Sequence, residues 1–203
     1  MMDKKEQSHP RLDYQVILDW IEPESNVLDL GCGSGDLLAL LIHNKAIRGT
    51  GIEINEEAIY KCMEKGLSVS HEDIDSSLID YSDNRFDYVI LNESLQQVLN
   101  PRKVILESLR IGRRAIVGIP NFCHIKARLQ VFFHGRVPVT KELPYEWYDT
   151  PNLRFLSLKD FRYFCLNNNI RIEKQVGIAG EKLISLWPNL LAHMGLFLLR
   201  KTD

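Results

Sequence analysis

The chain has 203 residues, of which 45% are hydrophobic and 26% are charged. This length and balance suit one folded domain with a buried core and exclude a disordered chain. A net charge of −2 gives no reason to expect nucleic-acid or membrane binding. The polar start MMDKKEQSHP lacks the apolar core of a secretory signal. We therefore expect a cytoplasmic protein with reduced cysteines, and no Cys or His spacing predicts a metal site.

Strand-like apolar runs alternate with helical patterns along the chain, which is typical of a βαβ sheet. An opening helix is expected within residues 1–24. Seven strands are predicted, with helices between them, at residues 26–30, 48–54, 67–73, 86–91, 113–120, 170–180 and 194–201. The segment 121–151 breaks this rhythm and is longer than most connections inside a compact domain. We expect a single domain over residues 1–203, with 121–151 as an irregular insertion after the fifth strand.

The stretch VLDLGCGSGDLLALL joins the first strand to a helix through a turn with glycine at positions 31, 33 and 35. Asp36 stands where the dinucleotide fingerprint needs a small residue, and no Gly-Lys-Ser/Thr follows as in a P-loop. Asp29 followed by the three glycines instead resembles the first motif of class I S-adenosylmethionine-dependent methyltransferases. The acid suits the amino group of that cofactor, and the helix N-terminus suits its carboxylate. A plain tight turn is the alternative.

Acids at the ends of the next two strands support the cofactor interpretation. Glu53 could accept hydrogen bonds from both ribose hydroxyls, as in dinucleotide-binding folds, or it could be a solvated strand-end acid. By resemblance, Asp73 would receive the adenine amino group, although Asp73 and Asp75 could simply shape a turn. The complete set predicted to hold S-adenosylmethionine or S-adenosylhomocysteine is Asp29, Gly31, Cys32, Gly33, Gly35, Glu53, Ile54, Asp73, Ile74 and Asn92.

No catalytic residue is predicted. Methyl transfer from a sulfonium mainly requires that the two partners be positioned, and orientation can supply about 7–11 kcal/mol. Glu93 and His124 could act as bases, but an acid or histidine at such positions is more often solvated or packed.

The segment GRVPVTKELPYEWYDTPNLRF, residues 135–155, combines three prolines with Tyr145, Trp147 and Tyr148. Large aromatic side chains in a loop need a surface to pack against. The segment could be a lid over the cofactor, a docking surface for a partner protein, or a loop packed on its own domain. We favour docking, because prolines reduce the entropy lost on association and aromatic residues are enriched at interfaces.

The runs FDYVILNESLQQVLNP, GRRAIVGIPNF and above all GRVPVTKELPYEWYDTPN resemble the MetW family of methionine-biosynthesis proteins. The resemblance implies a Rossmann-like class I methyltransferase fold, α/β, with a mostly parallel sheet, an antiparallel last strand and helices on both faces. It also implies a role together with homoserine O-acyltransferase. The alternative is an active methyltransferase acting on an unidentified small molecule.

Overall fold

A single sheet forms the centre of the computed structural model, which describes residues 11–140 and 143–202. Within these residues the strands are β1 (Asn26–Leu30), β2 (Arg48–Glu53), β3 (Ser68–His71), β4 (Phe86–Asn92), β5 (Gly112–Pro120), β6 (Ile170–Ala179), β7 (Lys182–Ile184) and β8 (Met194–Lys201). They lie in the order β3-β2-β1-β4-β5-β8-β6-β7. Strands β1 to β5 are parallel to one another, and β8 runs antiparallel to both β5 and β6.

Each of the seven predicted strands is present, and the last one is antiparallel as the resemblance implied. The strand that the sequence did not reveal is β7, which has three residues and pairs with β6. Gly180, in the turn between them, has φ +60°, a backbone conformation that glycine adopts without a Cβ penalty. Three residues are too few to show the alternation by which a strand is recognised.

Helices cover both faces of this sheet, which confirms the predicted layering. They are α1 (Leu12–Trp20), α2 (Asp36–Lys45), α3 (Glu56–Glu64), α4 (Ile74–Ser77), α5 (Pro101–Ile111), α6 (Ile125–His134), α7 (Leu158–Asn167) and α8 (Pro188–Leu191), with single 3₁₀ turns at Leu78–Asp80 and Leu95–Gln97. On one face, Ile17 of α1 and Leu38 of α2 belong to the same buried cluster as Val27 of β1. On the other face, α5 and α7 pack against a second cluster that includes Leu28. Successive residues of β1 thus face opposite cores, as in a sheet buried on both sides.

The order of the strands decides where a ligand can bind. From β1 the chain proceeds outward through β2 and β3 on one side, and then returns to β4 and β5 on the other. The carboxyl ends of these parallel strands lie at one edge of the sheet, and the direction of winding reverses between β1 and β4. In open α/β sheets a crevice forms outside the strand ends at such a switch point. The glycine turn lies at that crevice.

The segment 121–151 begins with the predicted helix, α6, and continues as a loop. Ala127 is the buried residue of α6, so this helix packs only lightly on the domain. Within the described ranges, no helix is long and apolar enough to cross a membrane. The same residues contain no group of three or more His, Cys, Asp or Glu side chains that could hold a metal ion.

Candidate functional site

The turn between β1 and α2 depends on glycine at three positions. Gly31, Gly33 and Gly35 have φ values of +74°, +54° and +76°, in the left-handed region that side chains with a Cβ rarely adopt. The N–H groups of Gly31 and Cys32 both donate to the carbonyl of Ile52 in β2, at 2.8 and 3.1 Å. The turn is therefore fixed to the neighbouring strand as well as to its own helix.

The three glycines have different surroundings. A Cβ on Gly35 would lie 2.4 Å from the Cδ1 of Leu67, and one on Gly31 would lie 2.9 Å from the Cβ of Ser94. A Cβ on Gly33 would meet no atom within 4 Å. Gly35 is thus required by packing inside the protein, whereas Gly33 presents bare backbone to open space. Only the second situation leaves room for a ligand.

That open space is a cleft of about 430 Å³ at the carboxyl ends of the strands. Its walls are formed by Gly31, Gly33, Glu53, Ile54, Glu72, Asp73, Ile74, Asp75, Glu93, Ser94, Gln97, Val98 and Leu99. Six of the ten residues predicted to hold a cofactor are in this lining. The other four, which are Asp29, Cys32, Gly35 and Asn92, lie outside it. The structure therefore brings six of the predicted residues together around one cleft, and their contact with a cofactor stays a prediction.

The carboxylate of Glu53 holds the glycine turn in place. Its Oε2 accepts a hydrogen bond from the Gly33 N–H at 2.8 Å, and its Oε1 accepts from the N–H groups of Ile54 and Asn55, both at 2.9 Å. A carboxylate has about four acceptor positions, so capacity remains for a hydroxyl donor from the cleft. The hydrogen bond from Gly33 was not foreseen, because the two residues are 20 positions apart.

Two aspartates that follow β3 line the cleft. Asp73 caps α4, and its Oδ1 accepts a hydrogen bond from the Asp75 N–H at 2.9 Å. Asp75 reaches across the cleft, where its two oxygens accept from the N–H groups of Leu99 and Asn100 at 2.8 and 2.9 Å. The interpretation that Asp73 shapes a turn therefore applies, and Asp73 also lines the cleft, while its contact with the adenine amino group stays a prediction. No local sequence pattern predicted the hydrogen bonds that Asp75 accepts from Leu99 and Asn100.

Asp29 lies below the cleft, at 3% exposure. Burial, and secondarily the charge of Glu53, raise the pKa of Asp29 to about 7. No hydrogen bond from the described residues offsets this effect. A carboxyl group in these surroundings is more easily ionised when a cation comes next to it. This is the behaviour expected of an acid that receives an amino group.

The predicted contact residue Asn92 is engaged with the opening helix. Its Nδ2 donates to Oδ2 of Asp13 at 2.8 Å, while its Oδ1 is buried without a partner among the described residues. Arg11 forms ion pairs with both Asp13 and Glu93. Sequence reasoning missed the contribution of Arg11 and Asp13 to this region. Glu93, one candidate base, is thus already paired with a cation.

The remaining candidate side chains have structural surroundings. Nδ1 of His124 accepts a hydrogen bond from the Lys126 N–H, which caps α6, and its ring lies edge-on to that of His193 at 4.3 Å. The Cys32 thiol is buried against Gly51, and burial raises its pKa far above the ordinary value. A thiol with a raised pKa is a weak nucleophile. Small size therefore explains Cys32, as the sequence suggested.

The aromatic segment lies beside the cleft without forming part of its lining. Leu143 is buried, but Trp147 and Tyr148 are each 71% exposed and Tyr145 is 47% exposed. The segment is joined to the protein next to the cleft wall, because the N–H of Leu153 donates to the carbonyl of Gln96, which precedes the lining residue Gln97, at 2.9 Å. Packing on the domain itself thus accounts for Leu143 but not for the exposed rings of Trp147 and Tyr148.

Comparison with known proteins identifies the family. The model of the family described as "Methionine biosynthesis protein MetW" matches residues 11–199. The chain belongs to the MetW family. A bifunctional methionine biosynthesis protein MetXA/MetW from Rhodopirellula baltica is 36% identical over 174 residues, which is 81% of this chain. The chain spans 28% of the length of that protein.

Solved structures confirm the methyltransferase fold of this MetW-family chain. A SAM-dependent methyltransferase from Thermotoga maritima superimposes with a TM-score of 0.67 and 18% identity, covering 94% of this chain and 88% of the other. A methyltransferase from Haloferax volcanii, solved as a complex with the Trm112 methyltransferase activator, gives a TM-score of 0.70 and 17% identity. It covers 95% of this chain and 90% of the other. At these identities the likeness shows the fold alone.

Proposed function

We propose that the chain binds S-adenosylmethionine or S-adenosylhomocysteine in the cleft beside the glycine turn. The observation that carries this proposal is Gly33, whose backbone faces open space in a conformation that other residues rarely adopt. Gly66, Gly135 and Gly180 also combine a left-handed backbone with open space, but Gly33 is the one of these four that belongs to the described lining of the cleft. The ligand contacts predicted from the sequence remain predictions, and the arrangement of the cleft supports them.

The chemistry of the cleft fits the parts of this ligand. Glu53 retains acceptor capacity for a ribose hydroxyl, and Asp73 and Ile74, which follow β3, line the same cleft and are the residues predicted to receive adenine. Ser94 faces the cleft, and its buried Oγ has no partner among the described residues. When bound, the methylated cofactor would supply an activated methyl group on a sulfonium. Five carboxylates and no Lys or Arg line the described walls, which favours a cationic ligand over a phosphate.

Calorimetric titration tests this step. Wild-type protein should bind S-adenosylhomocysteine with one site per chain, and NAD should not bind. A protein that binds neither compound, or that prefers NAD, would refute the proposal.

We propose further that the protein acts in methionine biosynthesis together with homoserine O-acyltransferase, and that Tyr145, Trp147 and Tyr148 contact that partner. The Rhodopirellula relative unites a MetXA part and a MetW part in one chain, and we take its MetXA part to be the acyltransferase. Trp147 and Tyr148 offer rings that pack edge-on at 5.6 Å and remain largely exposed. Exposed aromatic clusters of this kind are enriched at interfaces.

A pull-down with purified acyltransferase from the same organism tests the partnership. Wild-type protein should retain the enzyme, and Trp147→Ala should not. Trp187→Ala is the matched control, because Trp187 is 68% exposed but lies at the start of α8, outside the 135–155 segment. Equal retention by wild type and Trp147→Ala, or no retention by wild type, would contradict the proposed surface.

An active methyltransferase on a small molecule remains the second candidate. The open cleft favours it, since cofactor release after methyl transfer needs an accessible site. The ion pair between Glu93 and Arg11 argues against Glu93 as a free base. Incubation with S-adenosylmethionine and cell extract, followed by measurement of S-adenosylhomocysteine, would detect turnover.

A further inference from the structure

Arg11 is held at the edge of the cleft by interactions on three sides. Its Nε and Nη2 donate to the two oxygens of Asp13 at 3.1 and 2.9 Å, and Nη2 also pairs with Glu93. The guanidinium lies over the ring of Tyr14, with its carbon 4.9 Å from the ring centre. Asp13 is 3% exposed and also accepts from Asn92, so it provides a fixed base for the arginine.

The guanidinium nevertheless keeps free capacity. Arg11 has about half of its side chain exposed, and its Nη1 forms no hydrogen bond with the residues that the structure describes. Glu93, its second carboxylate partner, is itself part of the cleft wall. The guanidinium of Arg11, which directly precedes α1, therefore lies next to the acidic lining of the cleft.

The surroundings of Tyr14 show which end of the cleft this is. Burial, the largest effect, raises the pKa of Tyr14, whose phenol lies under the Arg11 guanidinium. The charge of Arg11 lowers this pKa, and the charges of the nearby carboxylates Asp29 and Asp36 raise it. Asp29 precedes the glycine turn and Asp36 begins α2. The geometry agrees, because Ser94, which follows Glu93 in the chain, has its Cβ 2.9 Å from the Cβ position of Gly31. The pair of Arg11 and Glu93 therefore lies beside the glycine turn.

A ligand that carries an α-amino acid group needs opposite charges at that side. Asp29 provides the anion for the amino group, as the sequence predicted. The described lining of the cleft contains no Lys or Arg for the carboxylate. Arg11 can meet this need if the carboxylate takes the place now held by Glu93.

We infer that Arg11 is the carboxylate-binding residue of the site, and that it exchanges Glu93 for the carboxylate of the bound ligand. This inference rests on the proposed function and assigns one further contact within it. Arginine suits the role because its planar group binds one carboxylate through Nε and Nη2 and keeps another edge for a second. The exchange leaves the Asp13 pair intact and frees Glu93 at the cleft wall.

Two probes test the inference, because one carries the amino-acid group that Arg11 would bind and the other lacks it. S-adenosylhomocysteine carries the amino-acid group, and 5′-methylthioadenosine carries the same adenine, ribose and thioether without it. Titration of Arg11→Met should show affinity for S-adenosylhomocysteine reduced at least about tenfold, as expected for a lost charge-assisted hydrogen bond. Affinity for 5′-methylthioadenosine should stay within about twofold. Arg48→Met is the control for charge, since Arg48 is exposed at the opposite end of β2.

The exchange itself predicts an effect in the opposite direction. Glu93→Gln removes the competitor, so affinity for S-adenosylhomocysteine should rise about threefold or more while that for 5′-methylthioadenosine is unchanged. Equal losses of both probes in Arg11→Met, or no loss, would overturn the assignment, and a weaker S-adenosylhomocysteine complex in Glu93→Gln would overturn the exchange. If Arg11→Met does not fold, Glu93→Gln decides alone. Failure of the proposed function looks different, because the wild type would then bind neither probe.

Discussion

Replacing Glu53 by glutamine should weaken both the cofactor site and the fold. Glutamine can keep one oxygen facing the Ile54 and Asn55 N–H groups, but its amide nitrogen then faces the Gly33 N–H that now donates at 2.8 Å. One backbone donor loses its acceptor, which costs about 1–3 kcal/mol of unfolding free energy. A ribose hydroxyl also loses a charged acceptor, which is worth about 1.5–3 kcal/mol of binding free energy. We therefore expect affinity for S-adenosylhomocysteine to fall at least about tenfold.

Denaturant unfolding and calorimetric titration measure these two effects separately. Glu72→Gln is the matched control, because Glu72 is an acid of the same cleft whose side chain makes no hydrogen bond within the described chain. It removes the same charge without touching the turn. If Glu72→Gln and Glu53→Gln weaken binding equally, the effect is one of general charge. The reasoning from the three hydrogen bonds would then be refuted.

Three further predictions address the turn, the buried acid and the aromatic loop. Gly33→Val should abolish binding of S-adenosylhomocysteine in a protein that still folds, and unchanged affinity by titration would return the motif to a plain turn. Between pH values of about 4 and 7, Asp29 keeps its proton in the folded state but has lost it in the unfolded state. The unfolding free energy should therefore fall as pH rises, by up to about 4 kcal/mol. Urea titrations should show this fall for the wild type and not for Asp29→Asn. Affinity for S-adenosylhomocysteine should rise over about pH 6–8 for the same reason, and a flat profile would mean that Asp29 does not meet the amino group. Trp147→Ala should lose about 2 kcal/mol or more of binding free energy for homoserine O-acyltransferase, with cofactor affinity unchanged; collapse of cofactor affinity alone would assign Trp147 to a lid.

The sequence could predict elements whose apolar residues repeat at a regular spacing, and residues that follow neighbouring parallel strands and so meet at one edge of the sheet. The seven strands follow from alternating and continuous apolar runs, and the meeting of Gly33, Glu53 and Asp73 follows because parallel strands end at one edge. The residues that were missed reach the site from distant parts of the chain. Arg11 and Glu93 are 82 positions apart, and Asp75 and Asn100 are 25 apart. No periodicity relates such pairs, and only the packed fold brings them together.

Gly35 shows a subtler limit of sequence reasoning. Its spacing in the motif gave it the same predicted role as Gly33, since both positions need a left-handed backbone. The difference lies in what surrounds each Cβ position, which Leu67 and Cys62 determine for Gly35. A glycine motif therefore predicts the path of the backbone well, and it does not tell which glycine leaves space for the ligand.

The double hydrogen bond from Asp75 to Leu99 and Asn100 has a consequence for the thermodynamics of binding. It fixes the width of one end of the cleft before any ligand arrives, so adenine would enter a preorganised slot with little loss of chain entropy. The amide protons of Leu99 and Asn100 should then exchange slowly with solvent even in the free protein. At the other end, under the inference drawn above, Arg11 would exchange Glu93 for the carboxylate of the ligand. The two ends of the cleft would thus differ in kind: one would recognise its part of the ligand by a shape that already exists, and the other by a change of ion-pair partners.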